Sequence, residues 1–236
     1  MSRTIGFIIA MYTVFQHSKA RLFLFITILL VVFIALFIAT CVTFPTRNTS
    51  FENGLRSFAD ARNPGSEFSL FNGEDLSGWS VHGVGKWTIS DGVLTVRRGL
   101  GYLATRCDQF DDFILTLEIR VSEEGNSGVF FRSRRPGFGT RPWPIGYETQ
   151  VDNHDPKNPT GSLYDRVTAS PLPAKDEEWF KMEVSAVGAS LSVKVNGETV
   201  AQATDTTYVR GIIALQAHDL FSRVDFKNIR IRIPER

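Results

Sequence analysis

The sequence predicts an all-β domain, either a sandwich or a barrel, that follows an N-terminal transmembrane helix. Short apolar stretches recur through the C-terminal part, alternate with period two and are separated by turn residues, which is typical of strands with one buried face. The uncharged apolar run of residues 22–44 is long enough to cross a bilayer as a helix. After residue 66 no stretch has a convincing helical period, which argues against alternating strands and helices.

The apolar run divides the chain into four predicted parts. Residues 1–21 carry the basic side chains that precede the run, so the positive-inside rule places them in the cytoplasm. Residues 22–44 form the transmembrane helix or signal anchor, residues 45–66 a polar linker, and residues 67–236 the folded domain. The prediction is a single-pass protein of the cell membrane whose C-terminal domain is extracytoplasmic, in the periplasm or at the cell surface.

Two interpretations of the apolar run compete. One is an uncleaved anchor, and the other is a cleaved signal peptide, including the lipoprotein type, because Ile38-Ala39-Thr40-Cys41 resembles a lipobox. The threonine before the cysteine departs from the usual small residue, and the run is long for a signal peptide. The uncleaved anchor is therefore favoured. Within the linker, Phe51–Ala61 is compatible with a short helix.

The strands are identified by their alternation and by the turns between them. Residues 87–89 and 93–96 flank Asp91-Gly92, a pair that supplies the positive φ of a tight hairpin. Asn196-Gly197 marks a second hairpin turn. The longer predicted strands are Phe113–Val121, Asn126–Arg132, Ile145–Asp152, Phe180–Ala186, Leu191–Val195, Gly211–His218 and Val224–Ile233.

Composition and missing motifs exclude several classes of function. The formal net charge is +1, which gives no reason to expect a nucleic acid partner. Only Cys41 and Cys107 occur, so a disulfide framework is excluded. The sequence contains no nucleophile elbow, phosphate-binding loop or zinc-ligand spacing, which argues against serine hydrolases, nucleotide-binding proteins and zinc proteins.

A polar surface is predicted where Asn126–Arg132 and Ile145–Asp152 pair. One face of the first strand carries Asn126, Phe130 and Arg132, and one face of the second carries Glu148, Gln150 and Asp152. The Phe130 ring offers a stacking surface for a sugar. The alternatives are a solvated outer face, or a structural ion pair of Arg132 with Glu118 or Glu148.

The spacing of the carboxylates argues against a glycosidase pair. Glu148 and Asp152 are ~13 Å apart along a strand, whereas the paired carboxyls of glycosidases are about 5–9.5 Å apart. Arg132 suits a fixed cation that binds an oxyanion, because arginine keeps its proton. His218 is either a proton shuttle or an edge histidine with a structural role.

Two further features have open interpretations. Tyr164 is either a core residue or a hydrogen-bonding group for a sugar. Asp152, His154 and Asp155 lie close together in the sequence and could hold a hard divalent metal such as calcium. No other cofactor is indicated.

The order and spacing of several motifs resemble the 3-keto-disaccharide hydrolase domain family over residues 67–233. The motifs are Leu70–Gly73, Asp75–Trp79, Trp87, Asp91-Gly92, Asn126–Arg132, Tyr147–Asp152, Gly161–Tyr164, Trp179, Asn196-Gly197 and Gly211–His218. The resemblance implies a two-sheet antiparallel jelly roll of the concanavalin A-like lectin and glucanase type. It also implies a hydrolase, or a lyase and hydratase, that acts on glycosides whose C3 hydroxyl has been oxidised to a ketone.

Elimination from such a substrate needs no carboxylate pair, because the C3 ketone acidifies the C2 proton. Either Glu148 or His218 is then expected to act as the base and the other as the acid, with Arg132 and Gln150 binding the oxyanion and substrate. Asn126, Asp152 and Tyr164 are expected to bind sugar hydroxyls. The chain departs from the family pattern around the histidine, at Ala217 and Asp219-Leu220. The competing functions are a non-catalytic carbohydrate-binding module and a structural envelope domain in which the charged groups neutralise one another.

Overall fold

The computed structural model describes residues 49–61, 63–137, 139, 141–171 and 174–235. The predicted cytoplasmic segment and the predicted transmembrane helix at residues 22–44 lie outside this range. Among the described residues, no helix combines the length and the apolar character that a membrane span requires. The described residues belong to the C-terminal unit of the chain, Arg47–Arg236.

One helix precedes thirteen strands in the described residues. The helix, α1, spans Thr49–Ala61, two residues longer at its start than the sequence predicted. The strands are β1 (Glu67–Ser69), β2 (Trp79–Gly83), β3 (Lys86–Ser90), β4 (Val93–Arg97), β5 (Gly101–Thr105), β6 (Phe113–Val121), β7 (Ser127–Arg134), β8 (Ile145–Val151), β9 (Phe180–Val187), β10 (Ser190–Val195), β11 (Glu198–Thr204), β12 (Ile212–Ala217) and β13 (Arg223–Arg232).

The strands form two antiparallel sheets, as predicted. The larger sheet has the order β11-β10-β9-β6-β13-β4-β3, with β1 also paired to β13, and the smaller has the order β2-β5-β12-β7-β8. Asp91 and Asn196 have φ values of 52° and each precedes a positive-φ glycine, which confirms both hairpin turns. The fold is therefore an all-β sandwich.

The core lies between the two sheets. β6 illustrates how the sequence produces it, because its odd-numbered residues from Phe113 to Val121 are all buried and the residues between them are half-buried. On the smaller sheet, Val129, Phe131 and Tyr147 belong to the same core cluster. Burial of such side chains is the main stabilising contribution to the fold, at roughly 1.5–3 kcal/mol for each large apolar group.

Helix α1 packs on the sandwich through an apolar side. Leu55 is fully buried, and the Phe51 and Phe68 rings lie 5.4 Å apart. Gly78 permits this contact, because a Cβ at that position would be 3.2 Å from both Phe51 and Leu55. A helix of this length is marginal alone, so these contacts account for its stability.

The smaller sheet carries a second apolar cluster on its outer face. Tyr102, Ala104, Phe130, Ile212 and Ala214 are buried there, with Trp143 packed against them. Trp143 belongs to the connection between β7 and β8. That connection therefore covers part of the outer face, and it leaves the part over β7 and β8 open as a cavity.

Candidate functional site

The outer face of the smaller sheet contains a cavity of about 340 Å³. Its floor is made by β7, β8 and β12, and its walls come from the connection between β7 and β8, the segment after β8, and the end of β12. The lining residues are Asn126, Phe130, Arg141, Trp143, Pro144, Ile145, Gly146, Glu148, Gln150, Asp155, Tyr164, Asp165, Tyr208, Gln216 and His218.

Strand register explains why the floor groups lie together. Glu148 on β8 lies opposite Phe130 on β7, and Gln150 lies opposite Gly128. Gly128 has no side chain, and a Cβ there would be only 2.0 Å from Glu148 Oε1. The carboxyl group therefore lies across β7 towards β12, where Gln216 Nε2 donates a hydrogen bond to Oε1 at 3.1 Å.

The environment of Glu148 changes its acidity. Burial raises the pKa of its carboxyl to about 8; the positive charge of Arg141 opposes this rise and the negative charge of Asp165 adds to it. Burial dominates because an ion loses more hydration than a neutral acid when water is excluded. At neutral pH the Glu148 side chain is therefore mostly a carboxylic acid, which can donate a proton.

Two amide side chains on the floor have unused hydrogen-bonding capacity. Asn126 Nδ2 donates to Asp152 Oδ2 at 2.9 Å, whereas Asn126 Oδ1 has no partner among the described residues. Gln216 is 4% exposed, and its Oε1 also lacks a partner there. Buried polar atoms are normally paired, so both oxygens are suited to accept hydrogen bonds from a bound polar molecule.

One wall of the cavity is a pair of stacked rings. The centroids of Trp143 and His218 are 5.3 Å apart, and the ring planes are inclined by 3°. His218 follows the last residue of β12, and its Nδ1 lies 3.1 Å from Asp219 Oδ2. Trp143 therefore restricts the orientation of the imidazole ring beside the Glu148 floor.

The opposite wall is built by a segment that extends the sheet beyond β8. Leu163 forms an isolated antiparallel bridge with Thr149, and the backbone N–H of Tyr164 donates to the Glu148 carbonyl oxygen at 2.9 Å. These contacts place the Tyr164 side chain, which is 42% exposed, at the edge of the cavity. The predicted site residue Tyr164 is therefore a surface residue of the site and not a core residue.

Arg132 lies outside this site, so the prediction that it shares a face with Glu148 was wrong. The register of β7 and β8 shifts between Phe131 and Arg134, and Arg132 has a φ of 44°, which turns its side chain away from the cavity. The guanidinium donates to the carbonyl oxygens of Asp111 and Gly188 at 2.7 and 2.8 Å, and it pairs with Asp112 at 3.1 Å.

Asp152 lies beside the cavity and does not line it. Its Oδ2 accepts the hydrogen bond from Asn126, and its Oδ1 accepts from the backbone N–H groups of His154 and Asp155. His154 Nε2 instead lies 2.6 Å from Asp176 Oδ2. In the part of the chain that the structure describes, no three His, Cys, Asp or Glu side chains are arranged to hold a metal ion.

Comparison with known proteins shows the family to which the chain belongs. A profile of the 3-keto-alpha-glucoside-1,2-lyase-like domain matches residues 67–232, which is most of the chain and includes all thirteen of the strands described above. The chain belongs to this family. This confirms the resemblance inferred from the sequence motifs.

A curated relative and several solved structures are similar to this chain. The chain is 28% identical over 170 residues to a 3-keto-disaccharide hydrolase of Bacteroides thetaiotaomicron, and the match spans 57% of each chain. Two structures of Parabacteroides distasonis proteins assigned as glycosyl hydrolases have TM-scores of 0.64 and 0.59. Their identities are 20% and 22%, with 75% and 71% of this chain and 96% and 99% of theirs covered.

A carbohydrate-binding module, CBM66 from Bacillus subtilis, has the same fold. Its TM-score is 0.51 at 19% identity, with 66% of this chain and 95% of that chain covered. At these identities the solved structures show the fold alone.

The cavity includes residues that the sequence did not single out. Gln216 shares a strand face with His218, so alternation along β12 was a usable signal for it. Arg141, Asp165 and Tyr208 lie in connections, where no periodicity shows which side chains point towards the sheet. Of the predicted residues, the cavity brings together Asn126, Phe130, Glu148, Gln150, Tyr164 and His218.

Proposed function

We propose that this chain is a glycoside-processing enzyme, a hydrolase or lyase and hydratase, that acts on 3-keto-glycosides by C2 proton abstraction and elimination. The observation that carries the proposal is that a half-buried carboxylic acid, Glu148, and an imidazole, His218, line one cavity. Two titratable groups held in different environments at one site can serve as acid and base. Membership of the 3-keto-alpha-glucoside-1,2-lyase-like family supports the same chemistry.

The proposed reaction divides the proton transfers between these two groups. His218 removes the C2 proton, and the electron pair moves towards the C3 carbonyl to give an enolate. The enolate then forms the C1–C2 double bond as the C1–O bond breaks, and Glu148 protonates the departing aglycone oxygen. Addition of water across C1 and C2 gives the free 3-keto sugar and completes a net hydrolysis.

The remaining roles follow from charge and hydrogen-bonding capacity. Arg141 lines the cavity and acts on the Glu148 carboxyl through its positive charge, so we assign to it the enolate-stabilising role first considered for Arg132. The oxygens of Asn126 and Gln216 that lack a partner among the described residues accept hydrogen bonds from sugar hydroxyls, and Gln150 and Tyr164 offer further polar contacts. Phe130 supplies an apolar surface for the ring.

Substitution of each titratable group tests the proposal. The full chain is incubated with a 3-keto-glucoside in deuterated water, and aglycone release and deuterium at C2 are both measured. His218→Gln is expected to lose both signals. Glu148→Gln is expected to keep C2 exchange and to lose aglycone release by about 10²–10⁴-fold, the usual contribution of general acid–base catalysis.

Glu183→Gln is the matched control, because Glu183 pairs with Lys194 on the larger sheet and its variant should retain wild-type turnover. Unchanged aglycone release in both site variants would refute the acid and base assignments.

The second candidate function is non-catalytic carbohydrate binding. The shared fold with CBM66 and the open, polar cavity favour it. It predicts saturable binding of a glycoside with no product at any enzyme concentration, and loss of that binding in Gln150→Ala.

We also propose that residues 22–44 anchor the chain in the cell membrane, with the domain extracytoplasmic. The uncharged run and the basic residues before it support this arrangement. Alkaline carbonate extraction of membranes and protease treatment of spheroplasts test it; release by carbonate or full protease protection would contradict it.

A further inference from the structure

The loop that follows β12 is organised around one carboxylate, Asp219. Its Oδ1 accepts hydrogen bonds from the backbone N–H groups of Phe221 and Ser222, both at 2.7 Å. Its Oδ2 accepts one from the Ser222 hydroxyl at 2.8 Å and lies 3.1 Å from His218 Nδ1. Two backbone groups, a hydroxyl and an imidazole thus converge on a single side chain.

The charge of Asp219 determines the direction of the contact with His218. Partial burial disfavours the carboxylate, but the hydrogen bonds from Ser222, His218 and Phe221 outweigh it and lower the pKa of Asp219 to about 2. An ionised carboxylate can only accept hydrogen bonds. In the contact with Asp219, His218 Nδ1 must therefore carry the proton.

A neutral imidazole carries one ring proton. When that proton is on Nδ1, the lone pair that can accept a proton is on Nε2. The stack on Trp143, with ring planes inclined by 3°, limits rotation of the ring about this contact. The loop and the stack together define both the tautomer and the orientation of His218.

We propose that Asp219 is a positioning residue that keeps His218 in the tautomer with a basic Nε2. The inference rests on the proposed function, because it gives a role to the base that removes the C2 proton. Asp219 itself makes no contact with substrate in this proposal. It acts through His218, and after proton abstraction its charge stabilises the imidazolium ion.

Asp219→Asn separates this role from a structural one. In the variant, Oδ1 can keep the hydrogen bonds from Phe221 and Ser222, so the loop should keep its shape. The new amide nitrogen is a donor, and it can bind Nδ1 only if that atom has lost its proton. The substitution is therefore expected to move the ring proton to Nε2 and to lower kcat by about 10²–10⁴-fold.

The tautomer is measured directly by ¹⁵N NMR of the full chain labelled on histidine, with the His218 signals assigned from their absence in His218→Gln. The wild type should show a protonated Nδ1 and Asp219→Asn a protonated Nε2. Ser222→Ala is the control, because it removes the hydroxyl that donates to Asp219 Oδ2 and accepts from the Asn126 backbone N–H, and it leaves the contact between Asp219 and His218. It should keep the wild-type tautomer and a kcat within about threefold.

A protonated Nε2 in the wild type, or an unchanged tautomer in Asp219→Asn, overturns the inference whatever the activity is. An altered tautomer together with unchanged turnover also overturns the positioning role. If the wild type turns over no 3-keto-glucoside, the proposed function fails, and the NMR result alone then decides whether Asp219 sets the tautomer.

Discussion

The position of the Glu148 carboxyl depends on the side chain that Gly128 lacks. Any Cβ at residue 128 would lie 2.0 Å from Glu148 Oε1 and 2.9 Å from its carboxyl carbon, closer than atoms can approach. A larger residue would therefore move the carboxyl away from Gln216 and towards the cavity opening. Greater exposure would reduce the desolvation that raises its pKa.

Gly128→Ala is expected to reduce activity without a large loss of stability. Alanine suits a strand slightly better than glycine does, so the melting temperature should change by only a few degrees, while kcat falls at least about tenfold because the acid is displaced. Both are measured on purified protein with the 3-keto-glucoside assay. In a Glu148→Gln background the same substitution should cause little further loss, as expected for two changes that act on one group. Additive losses would contradict this explanation.

At the scale of one element, β7 combines two functions because of its bulge. Up to Phe131 the strand alternates regularly, with Val129 and Phe131 in the core and Phe130 on the outer face. At Arg132 the register shifts, and the guanidinium instead connects Asp111, Asp112 and Gly188. The bulge separates a polar structural contact from the cavity floor.

Arg132→Ala is accordingly expected to destabilise the fold and to leave catalysis nearly unchanged. Two carbonyl oxygens lose a charged donor, and the loss destabilises the fold by about 2–4 kcal/mol. This lowers the melting temperature by roughly 4–16 °C for a domain of this size. The measurements are thermal unfolding and kcat at a temperature where the variant is folded. Arg97→Ala is the control, because Arg97 is exposed. A large fall in kcat with unchanged stability would return Arg132 to the reaction.

The two strands around the cavity show what the sequence could and could not predict. Period-two alternation correctly paired Asn126–Arg132 with Ile145–Asp152 and placed Glu148 and Gln150 on one face. It could not predict the positive φ of Arg132, because a left-handed conformation at a non-glycine residue is stabilised by tertiary contacts. Those contacts come from residues about 20 and 56 positions away.

The connections between strands also contain site residues that the sequence could not predict. Arg141 and Trp143 come from a segment rich in glycine, proline and arginine, and such a segment has no period from which the direction of a side chain follows. A connection of this length in a compact domain is usually either functional or disordered, but its length does not show which side chains face a site. Only the fold shows that Trp143 stacks on His218 and that the charge of Arg141 acts on Glu148.

At the scale of the whole molecule, stability and function use different faces of the smaller sheet. The inner face joins the main core, and the outer face carries the smaller apolar cluster together with the cavity. Asp205, away from the cavity lining, is bound by the Tyr147 hydroxyl at 2.6 Å and pairs with Arg166. Because the cavity and the main core lie on opposite faces of the smaller sheet, a substitution that changes the charge of a cavity residue need not disturb the core between the sheets.

Stability should depend on pH in two separate ranges. Hydrogen bonds from Thr207 and Tyr147 lower the pKa of Asp205 to about 2, below its ordinary value of 3.8. A lowered pKa means that the carboxylate stabilises the fold above about pH 4, and that this contribution is lost as the pH falls towards 2. The pKa of Asp219 is also lowered to about 2, so its carboxylate contributes over the same pH range. Glu148 is protonated in both the folded and the unfolded state below about pH 4, so substitutions there should not change how stability varies with pH in the acid range.

The alkaline range should depend on Glu148, whose pKa is raised from 4.5 to about 8. A raised pKa means that the folded state holds a proton that the unfolded state releases, so stability is greatest below pH 4.5 and is lost as the pH rises through 8. Glu148→Gln cannot ionise. The rise of the Glu148 pKa from 4.5 to about 8 corresponds to about 5 kcal/mol, so the melting temperature of the variant should exceed that of the wild type by roughly 10–20 °C at pH 9, and by much less at pH 5. Circular dichroism melts from pH 3 to 9 measure this, with Glu183→Gln as the matched control. Parallel pH curves for the wild type and Glu148→Gln would show that the carboxyl is already ionised at neutral pH, and the role of proton donor to the leaving group would then pass to another residue.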